Sequence, residues 1–208
     1  MNGLLVRLGL GVIAMALGAA PAFAHHMMGG HTPVTFADGI LSGLGHPIIG
    51  LDHFAAVVAV GCLAAAHRAG PVLALAFVGT MMAGVALHLQ GATVPADEIM
   101  VALSVIILGA IMLRGQNIST RAALALFALV GLVHGYALGE SIYGAERTPV
   151  YAYLLGLAVI QGTVALVAMS VARLLARRPA DLSPLRLVGA GIAGIGLAVL
   201  MQQIVPGA

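Results

Sequence analysis

The amino-acid sequence predicts an all-α, polytopic membrane protein: a cleaved signal peptide, a short re-entrant or interfacial helix, then six transmembrane helices. Three observations carry that reading. Of the 208 residues 61% are hydrophobic and only 8% charged, against about 45–50% and about 25% in soluble domains. The mean hydropathy is +1.09, and the apolar residues fall into long runs punctuated by glycine, proline and arginine. All nine basic side chains are arginines, and they cluster between the runs. A net charge of +2 spread along the chain argues against a nucleic-acid partner. The single cysteine, Cys62, cannot form an internal disulfide and sits in an apolar run as a small hydrophobe.

Residues 1–24 read as a secretory signal: Arg7, an apolar run from Leu8 to Ala20, and Ala22-Phe23-Ala24 as cleavage site. Cleavage would leave residues 25–208 as a single membrane domain starting His25-His26, outside the cytoplasm. Residues 34–45 are too short to span; their Gly39/Gly43 pair suggests a re-entrant or interfacial helix packed on the first span. The spans follow at about 47–66, 71–90, 99–113, 122–139, 150–172 and 187–205, the third recruiting Pro95 to Glu98 at its outer end. With the mature N-terminus outside, the inner loops hold Arg68, Arg114, Arg121, Arg173, Arg177, Arg178 and Arg186, and the outer loops only Arg147. That asymmetry obeys the positive-inside rule and puts both mature ends on the periplasmic side of a bacterial inner membrane.

Ionisable groups within such spans are costly and mark function. The first span opens Gly45-His46-Pro47, continuing to Asp52-His53. Pro47 suits a first helical turn, and on a continuous helix His46 and His53, two turns apart, lie on nearly one face. Imidazoles beside a carboxylate are transition-metal ligands, although a hydrogen-bonded His/Asp brace is the blander reading. The fourth span carries His134 and Glu140 among Gly131, Gly135 and Gly139, whose four-residue spacing lets another backbone approach. His88 ends the second span and Glu98 opens the third. Alternation of the spans puts all these groups at one outer level, which favours a single cation site over independent structural histidines. Gln161 and Met81-Met82 lie near mid-span; the amide could line a deeper route, while the methionines read as core.

The His46-x5-Asp52-His53 run, the glycine-rich His134/Glu140 segment and the signal together resemble the HupE/UreJ family of nickel permeases, which accompany hydrogenases and ureases. The resemblance covers the mature chain, with Val133 where the family commonly has Phe. It implies that His46, Asp52 and His53, with Glu98, His134 and Glu140, are the functional positions, and that the cargo is Ni²⁺ or Co²⁺ rather than a permanently bound cofactor. Imidazole and carboxylate suit those ions, and the lack of thiolates argues against Cu(I). No phosphate-binding loop is present for ATP hydrolysis. The enzyme alternative is a membrane-embedded zinc hydrolase assisted by Ser42 or Ser141, and a histidine-ligated haem protein is a third class. The partners expected are a divalent metal ion and membrane lipid; a homo-oligomer and handover to metalloenzyme maturation proteins stay open. After cleavage His25, His26 and the nearby His31 could chelate metal outside, or form a tail that does nothing.

Overall fold

The computed structural model describes residues 32–115, 118–176 and 183–205. The predicted signal segment and the histidines His25, His26 and His31 lie outside the described residues. Within them the chain forms α1 (Phe36–Ile49), α2 (Leu51–Ala64), α3 (Gly70–Leu89), α4 (Asp97–Arg114), α5 (Thr120–Gly139), a 3₁₀ turn (Glu140–Ile142), α6 (Arg147–Ala176) and α7 (Ser183–Ile204). Helices α3, α5, α6 and α7 are long and apolar enough to cross a membrane, and α1 with α2 adds a fifth crossing if that bent pair is one span. Helix α4 has 18 residues but carries Asp97, Glu98 and Arg114 at its ends. Large apolar side chains such as Val72, Leu129, Leu155, Val167 and Leu197 point outward and exposed. Such a belt belongs against lipid, and the chain is a multi-pass membrane protein.

The first span departs from expectation. Residues 47–66 are not one helix: the chain bends by 79° between α1 and α2, and Gly50 joins them with φ −72° and ψ 98°, outside helical space. Pro47 sits inside the end of α1 rather than opening a helix. Its missing N–H removes the donor for the Gly43 carbonyl, a common cause of kinking. His46 and His53 therefore do not share one helix face; they flank an elbow. At its start α1 is held by a capping box, in which Thr35 Oγ1 accepts from the Asp38 N–H at 3.1 Å and Asp38 Oδ2 accepts from the Thr35 N–H at 3.0 Å. The expected helix over 34–45 is thus longer than predicted, because it includes His46 and Pro47.

Its partner also differs. Helix α1 packs mainly on α6 rather than on the first span. Gly39 meets Pro149 and Ala152, Gly43 meets Tyr153 and Leu157, and Gly156 returns the contact against Ile40 and Leu44. Two further seams follow the same rule: α5 lays Gly131, Gly135 and Gly139 along α3, and α4 and α7 meet at Gly109 and Gly189. Helix α2 runs through the middle and touches the other helices, with Ala56, Ala59, Val60 and Ala64 fully buried. Met81 is likewise core, buried where Gly135 meets its backbone. Helix α4 starts at Asp97 after Ala96, so Pro95 stays outside it.

These seams make a prediction. A Cβ at Gly135 would lie 2.6 Å from the Met81 carbonyl carbon, whereas at Gly79 or Gly194 it would meet nothing within 4 Å. Gly135→Val should lower the melting temperature of detergent-purified protein by roughly 5–10 °C. Gly79→Ala and Gly194→Ala should leave it unchanged or slightly higher. Equal melting of all three variants would show that the seams do not carry the packing.

Candidate metal site

The elbow assembles the site. His46 lies in the last turn of α1, and Asp52 and His53 lie in the first turn of α2. A Cβ at Gly50 would lie 2.9 Å from the His53 ring and 3.2 Å from the Asp52 carboxylate, so the site closes around a residue that must be small. Asp52 accepts from the His53 N–H at 2.8 Å, which suits an acid at a helix N-terminus. The imidazoles of His46 and His53 have centroids 6.3 Å apart, and His53 meets His134 of α5 edge-on at 4.9 Å. All three are buried, His134 completely.

Ser104 of α4 completes the cluster; no sequence argument had singled it out. Its hydroxyl lies 2.7 Å from the Val101 carbonyl and 2.8 Å from His134 Nε2, while His134 Nδ1 lies 2.8 Å from His53 Nδ1. For neutral imidazoles one proton placement satisfies all three contacts. The carbonyl can only accept, so Ser104 donates to it; His134 Nε2–H then donates to Ser104, and His53 Nδ1–H donates to His134. His53 Nε2 is then its unprotonated nitrogen. The signal for Ser104 was a hydroxyl on an otherwise apolar face, one that serine usually occupies merely by bonding its own backbone.

Acidic groups lie at one end of this core. Glu98, half-buried in the first turn of α4, lies within electrostatic range of Asp52, Asp97 and Glu140. The chain enters α4 through Ala96 in the left-handed region at φ 57°, which is disfavoured for a residue with a Cβ. Glu140 is exposed in the 3₁₀ turn that ends α5. His88 packs on Tyr136 (4.6 Å) and Tyr143 (5.5 Å), beside Gly139. Tyr136 in turn donates to the Ala92 carbonyl at 2.7 Å and accepts from the Val94 N–H at 3.0 Å, so this aromatic cradle clasps the loop after α3. Ser141 is occupied in a similar clasp, bonded to the Leu138 carbonyl and to Tyr153.

Among the described residues no three His, Cys, Asp or Glu side chains converge on one point as a finished cage; the histidines hold one another instead. The spacing between His53 and His134 is that of a hydrogen bond. Two nitrogens bound to one ion at about 2.0–2.1 Å, at right angles, stand about 2.9 Å apart. The 2.8 Å between the His53 and His134 nitrogens is close to that value, but a cation would bind there only after the rings turn both lone pairs toward it, with the proton of each neutral imidazole on its other nitrogen. At the far end of α2 a separate cavity of about 260 Å³ is lined by Cys62, His67, Met112 and Arg186 among others. Arg173 steadies this end by donating to the His67 carbonyl at 3.1 Å.

The hydrogen-bond chain gives a second prediction. Ser104→Ala should scramble the tautomers of His53 and His134, read by ¹⁵N NMR of the imidazoles, and weaken divalent-metal binding about 10-fold or more, as loss of a ligand's orienting partner does. Ser104→Thr should restore both. Unchanged tautomers in the alanine variant would dissolve the proposed chain.

Known proteins resemble this chain over the same region. The family model described as HupE / UreJ protein matches residues 13–199. "Protein HupE" of Rhizobium leguminosarum bv. viciae is 37% identical over 123 residues, which cover 58% of this chain and 62% of that protein. The chain thus matches somewhat under two thirds of that relative's length. No solved structure matches. With the family match running from the predicted signal to the last helix, the protein belongs to the HupE/UreJ family.

Proposed function

We propose that this protein takes up a divalent transition-metal ion across the bacterial inner membrane, Ni²⁺ first and Co²⁺ next. The observation that carries the reading is the buried cluster of His46, His53 and His134, drawn from three helices of an apolar bundle, with two nitrogens 2.8 Å apart. Ionisable side chains within membrane spans are rare and commonly mark ion paths. Family membership and the relative named HupE support it. The acidic groups Glu98 and Glu140 attract the ion at the mouth, Asp52 balances its charge, and the histidines take it from water. The arginine asymmetry supports six crossings, with the α1–α2 elbow as the first, α4 as the third and both ends outside. His88 supports the mouth through its aromatic cradle.

Uptake of radiolabelled nickel and cobalt by expressing cells tests this. His46→Ala, Asp52→Ala and His53→Ala should each lower initial uptake about 100-fold while the protein still inserts in the membrane. Near-normal uptake in all three variants would remove the site. For the outer histidines we propose metal capture. Changing His25, His26 and His31 together to Ala should raise the metal concentration for half-maximal uptake several-fold, on the order of the effective-concentration gain of a tethered binder, with the maximal rate kept. An unchanged half-maximal concentration would make that tail a bystander.

A further inference from the structure

Gln161 of α6 is 1% exposed, and among the described residues neither its Oε1 nor its Nε2 has a hydrogen-bond partner. A buried amide without partners is destabilising, so its presence in an otherwise apolar helix face needs a reason. Its neighbours on that face give its location. Leu157, four residues earlier, packs at Gly43 of α1, and Ala165, four residues later, packs at Gly61 of α2. Residues four apart share a helix face, so Gln161 faces the elbow between α1 and α2. Helices α1 and α6 run in the same direction there, because Gly39 meets Pro149 and Gly43 meets Leu157. One turn onward on each helix puts Gln161 level with His46.

The elbow supplies a second observation. Helix α1 ends at Ile49; the Gly50 N–H still caps the His46 carbonyl at 2.9 Å, but the chain leaves helical space there, and Pro47 has no N–H to offer the Gly43 carbonyl. Irregular backbone inside a membrane bundle is tolerated where it lines a cavity or a path, and opened carbonyls of broken helices are cation contacts. From Gln161 a further eleven residues along α6, about 16 Å of helix, reach Ala172 at the cavity at the far end of α2.

We propose that Gln161, through its amide oxygen and together with the carbonyls opened at the elbow, is the exit contact for a divalent cation leaving the histidines toward that cavity. The inference rests on the uptake reading above and adds a residue that the capture site does not use. Oxygen donors hold Ni²⁺ or Co²⁺ more weakly than imidazole, so a contact of this kind passes the ion on rather than retaining it. Capture then depends on the histidines and the rate of passage on Gln161.

The test uses the full-length protein, with Gln161→Leu and, as a second apolar replacement of similar size, Gln161→Met. Three quantities are read: melting temperature in detergent, equilibrium Ni²⁺ affinity, and initial uptake of radiolabelled nickel into proteoliposomes at equal protein. The expected result is melting at or above wild type, affinity within about threefold, and uptake slowed about tenfold or more, since an apolar group removes an unsatisfied amide while deleting a transport contact. Uptake within about twofold of wild type in a stable variant would overturn the proposal. So would a lowered melting temperature in both variants, because Gln161 would then be a brace. Wild-type protein that takes up neither nickel nor cobalt would sink the uptake reading itself, whereas normal wild-type uptake with equally normal variants sinks only the role of Gln161.

Discussion

The break between His46 and His53 is the constraint on which the remaining structure depends. In an apolar bundle a helix keeps its backbone bonded, and interrupting it is destabilising wherever lipid is the neighbour. Pro47 removes one donor and Gly50 leaves helical space, so the polar backbone they release has to be kept inside protein. The packing does this. Helix α6 covers α1 through glycine contacts, and α2 turns into the middle of the bundle. Straightening the elbow would withdraw His46 from His53, Asp52 from the centre, and α1 from its seam at once.

Burial then decides the chemistry. His134 has no exposed surface and Ser104 little, so each polar atom there must be matched by another within the protein. The Val101 carbonyl, the Ser104 hydroxyl and the rings of His134 and His53 form a line in which each member accepts from the next. Because that line ends on a backbone carbonyl, its direction is fixed by the helix rather than by water. The acidic groups lie at one end of it, Glu98 half-buried and Glu140 exposed.

Much of this was legible in the sequence, and the failures have physical causes. Hydropathy located most helices because spans need continuous apolar length, and the Gly131/Gly135/Gly139 repeat announced a backbone seam that α3 fills. The elbow was not legible. Apolar content on both sides of Gly50 is the same, and Pro47 after His46 reads equally well as a first or a last helical turn. The error propagated: one helix puts His46 and His53 on a common face by periodicity, whereas two helices bring them together by folding. Gly39 and Gly43 declared that something packs closely on α1 but not which helix, since pairing partners leave no local trace. The aromatic neighbours of His88, Tyr136 and Tyr143, were likewise unreadable, since contacts around a bundle leave no mark in the sequence. Ser104 was invisible because one hydroxyl in a helix has too many ordinary explanations.

The glycine seams also have a mechanical meaning. Backbones in direct contact, without intervening side chains to repack, leave little room for sliding, so α1 and α2 with α6, α3 with α5, and α4 with α7 form three closely seamed groups. Displacement is then easiest along the boundaries between these groups, where side chains rather than main chains meet. His53, His134 and Ser104 belong to α2, α5 and α4, so their hydrogen bonds are stitched across those boundaries. Any event that breaks one of these hydrogen bonds alters a link between separately movable parts, and so changes how firmly the bundle is laced together.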